Sequence, residues 1–344
     1  MDIPDIHIRS VGSALPGPPI DNSALARRFG MDTLWEQWVD AFIGTRTRHL
    51  AIDLESGELA VSLAELATEA GSRALAAAGL APGEIDVLVM GTATPDQLMP
   101  ATVNLVADRL GINDVPTYQL QSGCCGAVQA LDVARRMLQS AGHTNALVLG
   151  GDVCAQFFDL GADLMSLRPE ELVNAVLFGD GAGAAVLTTE PAPGRPAIRR
   201  VLNRLTGLGQ QPGQVLRWYG PAQGKPPEGA GVAEDYKAIE ERVPVMAAEI
   251  LAELLESLDW KPDDIGYLLP PQLSGRMTGK IVKGLDLPGA REITCVADTA
   301  NTGNALPFLQ LERLVGALEP GERAIGIAVE SSKWIKSGFA LEGV

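Results

Sequence analysis

This 344-residue chain repeats itself at a near-constant interval. Pro82-Gly-Glu-Ile85 follows a long helical pattern and leads into an apolar strand; Pro262-Asp-Asp-Ile265 does the same 180 residues later. Gly123-Cys-Cys-Gly126 pairs with Ala300-Asn-Thr-Gly303, an offset of 177 between Cys124 and Asn301. Arg323-Ala-Ile-Gly-Ile-Ala-Val329 matches Ala146-Leu-Val-Leu-Gly-Gly-Asp152 at that same offset. An interval that holds over three elements marks an internal duplication. The expected architecture is therefore α/β, in two β/α halves, residues 1–189 and 190–344. The duplication puts Asn301 at the position equivalent to Cys124, with two helix starts converging where α/β folds bind ligands.

Cys124 sits where an apolar segment, 115–120, passes through Ser122-Gly123 into a helical pattern. Ala127, Ala130, Leu131, Ala134, Met137 and Leu138 recur at helical spacing, the mark of one buried face. Free N–H groups and the dipole at a helix start favour an anion and lower a thiol pKa. Ser122, Gly123, Gly126 and Ala127 leave room for a bulky group beside the sulfur. The stretch reads equally as a nucleophile or as a buried structural cysteine, since free cysteines are commonly buried.

Composition excludes several classes. The net charge of −16 argues against nucleic acid as the main partner. No basic and apolar leader opens the sequence, and no run reaches the roughly 18 apolar residues of a membrane span, so a cytoplasmic protein is expected. Four cysteines, Cys124, Cys125, Cys154 and Cys295, form no disulfide framework, and none has metal-ligand spacing with His7, His49 or His143. No metal is expected. Arg46, Arg48 and His49 could hold an anion, but a loop salt-bridged to nearby acids is the simpler expectation. Phe178-Gly-Asp-Gly-Ala-Gly-Ala-Ala-Val-Leu187 lacks the lysine and following helix of a phosphate cradle and reads as tight backbone packing. Pro and Gly enrichment over 190–233 predicts a connector with a hairpin or irregular excursion.

These residues resemble a family. Trp38, Arg46-Thr-Arg-His49, Gly91-Thr-Ala-Thr-Pro95, Ser122-Gly-Cys-Cys-Gly126, Gly151-Asp-Val153, the 178–184 glycine motif and Ala300-Asn-Thr302 together are similar to the thiolase fold. Within it they resemble ketosynthase III, the 3-oxoacyl-acyl-carrier-protein synthases, and related acyltransferases. The resemblance implies duplicated βαβαβ halves in a five-layered α-β-α-β-α core. It implies Cys124 as nucleophile, because the family cysteine lies two residues before a glycine, and Asn301 as the family asparagine. No cofactor is implied beyond the acyl thioester of a carrier-protein phosphopantetheine or coenzyme A.

The chain departs from that pattern. Where the family carries Pro-His-Gln-Ala-Asn, it reads Pro270-Pro271-Gln272-Leu273-Ser274. Phe42 replaces an arginine that stacks on adenine, and the glycine-rich oxyanion loop becomes Glu330-Ser-Ser-Lys-Trp334. One oxyanion donor is typically worth about 10²–10³ in rate, and proline offers none, so decarboxylative condensation is disfavoured. The expected activity is acyl transfer from a thioester onto Cys124, then to a hydroxyl, amine or thiol of a small-molecule acceptor. The alternatives are an atypical condensing enzyme and a non-condensing partner subunit. Ser274, Pro271, Ser332, Lys333 and Met99 are the expected pocket residues, with Lys333, Glu330, Asp298 and Ser274 as candidate bases. Arg276, Lys280 and Lys283 share one helical face, where the resemblance implies docking of an acyl carrier protein. It also implies a homodimer, paired through the strand after the nucleophile helix, residues 145–150.

Overall fold

The computed structural model describes residues 4–140, 142–157, 173, 176–216 and 232–344. Pro221, Pro226 and Pro227 of the expected connector lie outside these residues. The first half comprises β1 (His7–Ala14), β2 (Ile20–Asp21), α1 (Asn22–Phe29), α2 (Thr33–Trp38), β3 (Thr47–Arg48), α3 (Leu63–Ala78), β4 (Val87–Gly91), α4 (Thr102–Leu110), β5 (Thr117–Leu120), α5 (Gly126–Leu138), β6 (Asn145–Asp152) and β7 (Gly181–Thr188). The second comprises β8 (Pro196–Leu205), β9 (Gln214–Leu216), β10 (Val232–Glu234), α6 (Tyr236–Leu258), β11 (Tyr267–Leu269), α7 (Gly275–Leu285), β12 (Arg291–Glu292), α8 (Val296–Thr299), α9 (Leu306–Val315), β13 (Arg323–Glu330) and β14 (Ile335–Gly343).

The duplication is visible in the strand order. The ten-stranded sheet runs β12-β11-β13-β14-β8-β1-β7-β6-β4-β5, so each half contributes five strands in the same sequence outward from a β1/β8 seam. His7 pairs with Ala197 at that seam. The stretch 190–233 is therefore not connector throughout, since β8 is the second-half counterpart of β1; β9 and β10 pair as a short antiparallel ladder, in line with the expected hairpin. Three arginines, Arg199, Arg200 and Arg204, break up the apolar pattern by which a strand is read.

Apolar faces set the layers. Helix α5 buries Ala127, Val128, Leu131 and Ala134 against strands of both halves, including Ala146, Val148, Val201 and Phe339. Helices α3 and α4 cover the outer face of the first half, and α6 and α7 that of the second. The result is the α-β-α-β-α stack. Helix α3 shows why its sequence folds this way: the Ser62 hydroxyl accepts from the Glu65 N–H while the Glu65 carboxylate caps the Ser62 N–H, and Gly79 ends the helix at φ 67°. Its alanine face allows a close approach to β1; a Cβ on Gly12 would lie 2.6 Å from the Ala70 carbonyl oxygen.

One expectation about assembly changes here. Strand β6 is hydrogen-bonded on both sides, to β4 and to β7. Residues 145–150 therefore cannot supply the pairing edge of a dimer. Among the described residues the outer strand of the first half is β5, which precedes α5.

A reciprocal carboxylate clasp joins the halves. Asp152 ends β6 and accepts the Asn304 N–H of the second half at 2.8 Å. Glu330 ends β13 and accepts the Cys124 N–H of the first half at 2.5 Å. Each carboxylate fills space left by a glycine in the left-handed region: Gly123 at φ 51° and Gly303 at φ 54°. A Cβ on Gly303 would lie 2.2 Å from Asp152 Oδ2. Gly303→Ala combines that clash with an unfavourable φ, so we expect destabilisation by more than about 1 kcal/mol, read as a lowered midpoint in thermal or urea unfolding. An unchanged midpoint would show that the clasp yields freely.

Candidate active site

Cys124 lies in a single 3₁₀ turn, Gly123–Cys125, immediately before α5. The clasp shows which residue truly faces it across the duplication. The matching turn is Gly303–Ala305, so Cys124 corresponds to Asn304, not to Asn301. Asn304 Oδ1 accepts the Ala127 N–H at 2.7 Å, and its Nδ2 donates to Asp152. The signal was present in sequence: Gly123 and Gly303 stand 180 residues apart, as do Pro82 and Pro262. The Ala300-Asn-Thr-Gly303 match aligned the wrong residue because the two glycines frame different parts of their turns. Asn301 itself is buried beside Phe178, and its Oδ1 accepts the Gly303 N–H at 3.0 Å. Ala300 before it adopts φ 59°, ψ −165°, a region that strains any residue with a Cβ.

The helix start does not produce a thiolate. Burial pushes the Cys124 thiol well above its ordinary pKa, and the Glu330 charge, then Asp152, Cys125 and Cys154, push in the same direction. The N–H groups expected to favour an anion are already engaged, that of Cys124 by Glu330 and that of Ala127 by Asn304. Cys125 is fully buried, its thiol also raised by burial and directed to the Ile335 carbonyl. Cys124 is partly exposed, so of the two adjacent cysteines it is the accessible one.

The other expected residues separate into those around the thiol and those elsewhere. Glu330 is 2% exposed; its Oε1 accepts the Ser332 N–H at 2.5 Å, which folds the 330–334 turn back onto Cys124. Ser332 thus reaches the site through its backbone. Lys333 Nζ turns away and donates to the Gln210 carbonyl at 2.8 Å. Ser274 caps α7, its hydroxyl accepting the Met277 N–H, and the Pro271 carbonyl faces Thr278. Asp298 is an exposed partner of Arg46 at 2.6 Å, the salt-bridged loop expected for that cluster. Met99 is 86% exposed and is not walled in by its own chain. Of the candidate bases, Glu330 alone touches Cys124.

No histidine is among the groups that act on the thiol. His49 Nδ1 faces the carbonyls of Pro16 and Gly17, His7 lies in β1, and His143 precedes β6. Arg48 is fully buried, bonded to Asn22 and the Val176 carbonyl, with burial lowering its pKa to about 10; it is structural. Asp180 of the glycine motif accepts the N–H groups of Ala51 and Ala155, so that motif serves backbone packing. Among the described residues no cluster of His, Cys, Asp or Glu could hold a metal ion. No helix among them is long and apolar enough to cross a membrane.

On α7, Arg276 stands over the exposed Phe42 ring at 5.5 Å, and Phe42 stacks on Trp38. Lys280 forms an exposed pair with Glu240 at 3.5 Å, so the basic face is partly neutralised at its centre. Gly44 and Gly275 permit the close approach of the start of α7 to the segment that carries Phe42, since a Cβ on Gly275 would lie 2.4 Å from the Gly44 carbonyl oxygen.

Known proteins match this architecture. A family model for 3-oxoacyl-[acyl-carrier-protein] synthase III matches residues 118–203, and the model of its C-terminal part matches residues 255–330. A beta-ketoacyl-[acyl-carrier-protein] synthase III of Rhizorhabdus wittichii is 33% identical over 313 residues, 90% of this chain and 91% of that protein. One from Streptomyces coelicolor is 32% identical over 92% of this chain and 91% of that protein. Among solved structures, AbyA1, described as a tetronic acid condensing enzyme, is 61% identical with a TM-score of 0.95, covering 98% of this chain and 100% of that one. The 3-oxoacyl-(acyl carrier protein) synthase III of Pseudomonas aeruginosa superposes with a TM-score of 0.82 at 26% identity, covering 98% of each chain.

The raised thiol pKa has a direct readout. A thiol whose pKa is raised stays protonated to higher pH, so iodoacetamide should alkylate Cys124 with a pH midpoint above the roughly 8.5 of a free cysteine. A midpoint at or below that value, measured by peptide mass, would contradict the neutral thiol.

Proposed function

The chain belongs to the 3-oxoacyl-acyl-carrier-protein synthase III family, and from that premise we propose that it is a condensing acyltransferase of tetronic acid formation. It takes an acyl group from a thioester onto Cys124 and joins it to a second acyl substrate. The observation that carries this reading is the full-length likeness, at 61% identity, to a tetronic acid condensing enzyme. A tetronic acid ring made from two acyl units needs one carbon–carbon and one ester bond. The acceptor is then a carbon flanked by two carbonyls together with a hydroxyl, rather than a heteroatom alone. This revises the ranking reached from sequence, where transfer to a hydroxyl, amine or thiol stood ahead of condensation.

The chemistry of the site suits such an acceptor. A carbon between two carbonyls is already acidic, so no decarboxylation is required to generate the nucleophile. The imidazole that would stabilise a decarboxylation enolate is replaced by Pro271, and this reaction does not need it. The first half-reaction needs only an accessible thiol, oxyanion donors and positioning. We place Cys124 as the nucleophile and assign Asn301 and the 330–334 turn to the pocket.

We also propose an acyl carrier protein as donor, docking on α7, and a homodimer paired along β5. Phe42 with Arg276 forms an aromatic and cationic rim beside Lys283. An exposed pair such as Lys280 with Glu240 is worth only about 0–1 kcal/mol, so Lys280 can exchange partners. At the β5 edge the exposed Tyr118 would be covered by the second copy.

Intact-protein mass after incubation with acyl thioesters tests the nucleophile. Wild type should gain one acyl group, Cys124→Ala none, and Cys125→Ala should retain it; an adduct surviving in the Cys124 variant would sink the assignment. A β-ketoacyl thioester supplied with a hydroxyacyl thioester should give a cyclised product. Acetyl and malonyl thioesters should give no ketoacyl product and no carbon dioxide, and turnover of that pair would refute the reading.

Docking has its own test. Reversing Arg276 and Lys280 to glutamate should raise the KM for a carrier-bound donor several-fold, with the effect shrinking in high salt. A pantetheine thioester should react almost as before. Equal losses with both donors would show that this face supports the fold.

A further inference from the structure

The two carboxylates of the clasp occupy matching places and differ in one respect. Asp152 is saturated: it accepts from the hydroxyls of Thr92 and Thr94, from the N–H groups of Ala93, Thr94 and Asn304, and from Asn304 Nδ2. Glu330 accepts from two backbone groups, the N–H of Cys124 and the N–H of Ser332, both at 2.5 Å. Among the described residues no cation pairs with it, although it is buried. Ionised carboxylates have about four acceptor sites, so Glu330 keeps spare capacity beside the thiol. Only Cα and Cβ stand between the nitrogen it touches and Sγ. Gly123 keeps that space open, since a Cβ there would lie 1.8 Å from Oε2.

Its position also conflicts with a merely structural role. When a side chain attacks a carbonyl, its own backbone N–H is a natural donor to the oxyanion. Here that donor is already held by a carboxylate, which would repel a developing negative oxygen. The conflict disappears if the carboxylate is neutralised in the same step that creates the oxyanion.

We propose that Glu330 carries the thiol proton during acyl transfer to Cys124, acting as carboxylate before attack and as carboxylic acid after it. This rests on Cys124 being the acylated residue. Sγ attacks the thioester carbonyl as the S–H proton moves to Glu330 Oε2; the C–S bond to Cys124 forms and the carbonyl electron pair moves to oxygen. Neutral Glu330 releases the Cys124 N–H to the oxyanion. Collapse breaks the bond to the departing thiol, and Glu330 returns its proton to that sulfur. One thioester and one thiol give one thioester and one thiol, with no other reactant. The other titratable groups acting on Sγ are Asp152, Cys125 and Cys154: the first is saturated, and none of them touches the Cys124 N–H.

Glu330→Gln separates this role from packing and from simple charge. The amide is isosteric and still accepts the Cys124 N–H, but it cannot take a proton. Acylation of Cys124 by a pantetheine thioester, followed by intact mass, should slow by about 10²–10⁴. Alkylation by iodoacetamide should move the opposite way, with its pH midpoint falling, because the negative charge beside the thiol is gone. Glu330→Asp restores a carboxylate at slightly longer reach and should recover part of the acylation rate. Opposite movement of the two reactions in the Gln variant, with recovery in Asp, supports the proposal. Both reactions faster would show that Glu330 only suppresses the thiolate, and both unchanged would show that it is a structural cap; either overturns it. Should the Gln variant lose its native melting transition, Glu330→Asp decides: a folded Asp variant with wild-type alkylation and acylation slowed supports proton transfer, and equal loss of both overturns it. A wild-type chain that accepts no acyl group from any thioester instead overturns the acyl-transfer reading itself, so the two failures are distinguishable.

Discussion

The architecture depends on two buried carboxylates crossing between its halves. Asp152 and Glu330 end equivalent strands and cap the helix-start turns of the opposite half. A buried carboxylate is costly unless its acceptors are used, so each ties a strand end to one turn geometry. That geometry needs glycine at the left-handed positions 123 and 303. The thiol of Cys124 and the side chain of Asn304 are placed by the same constraint, which makes the site a consequence of the duplication.

The clasp also sets the chemistry of the thiol. A nucleophile at a helix start is commonly read as activated by the N-terminal N–H groups. Here those groups are satisfied by side chains, and partial burial and the neighbouring negative charges both raise the thiol pKa, so the resting thiol is neutral. A neutral resting thiol limits adventitious oxidation and alkylation, which act on thiolates. It also requires that a proton leave during attack, and the group in contact with Cys124 that can receive it is a carboxylate.

Much of the fold was legible because its signals are local or periodic. The near-constant offset between Pro82 and Pro262 revealed the duplication, and the helical pattern after Cys124 became α5. Cys124 was singled out from its motif, whereas Phe42 and Arg276 were read separately and meet only in the fold. What sequence could not supply was pairing across the halves. The contact from Glu330 to Cys124 spans 206 positions and has no local pattern. The internal alignment slipped by three residues from Asn304 to Asn301, because Asn-Thr-Gly outweighed the glycine register. β8 was hidden by its arginines, and β6 was read as a pairing edge although a strand apolar on both faces is an interior strand.

The most direct test of this account is fragmentation mapping of the acyl group on the wild-type enzyme after a brief exposure to a carrier-bound thioester. Cys124 and Cys125 are adjacent, and fragment ions between them assign the adduct to one sulfur. The account predicts an acyl group on Cys124 at a stoichiometry of about one per chain, in keeping with a single activated nucleophile. An acyl group on Cys125, Cys154 or Cys295, or none on any cysteine, would contradict it.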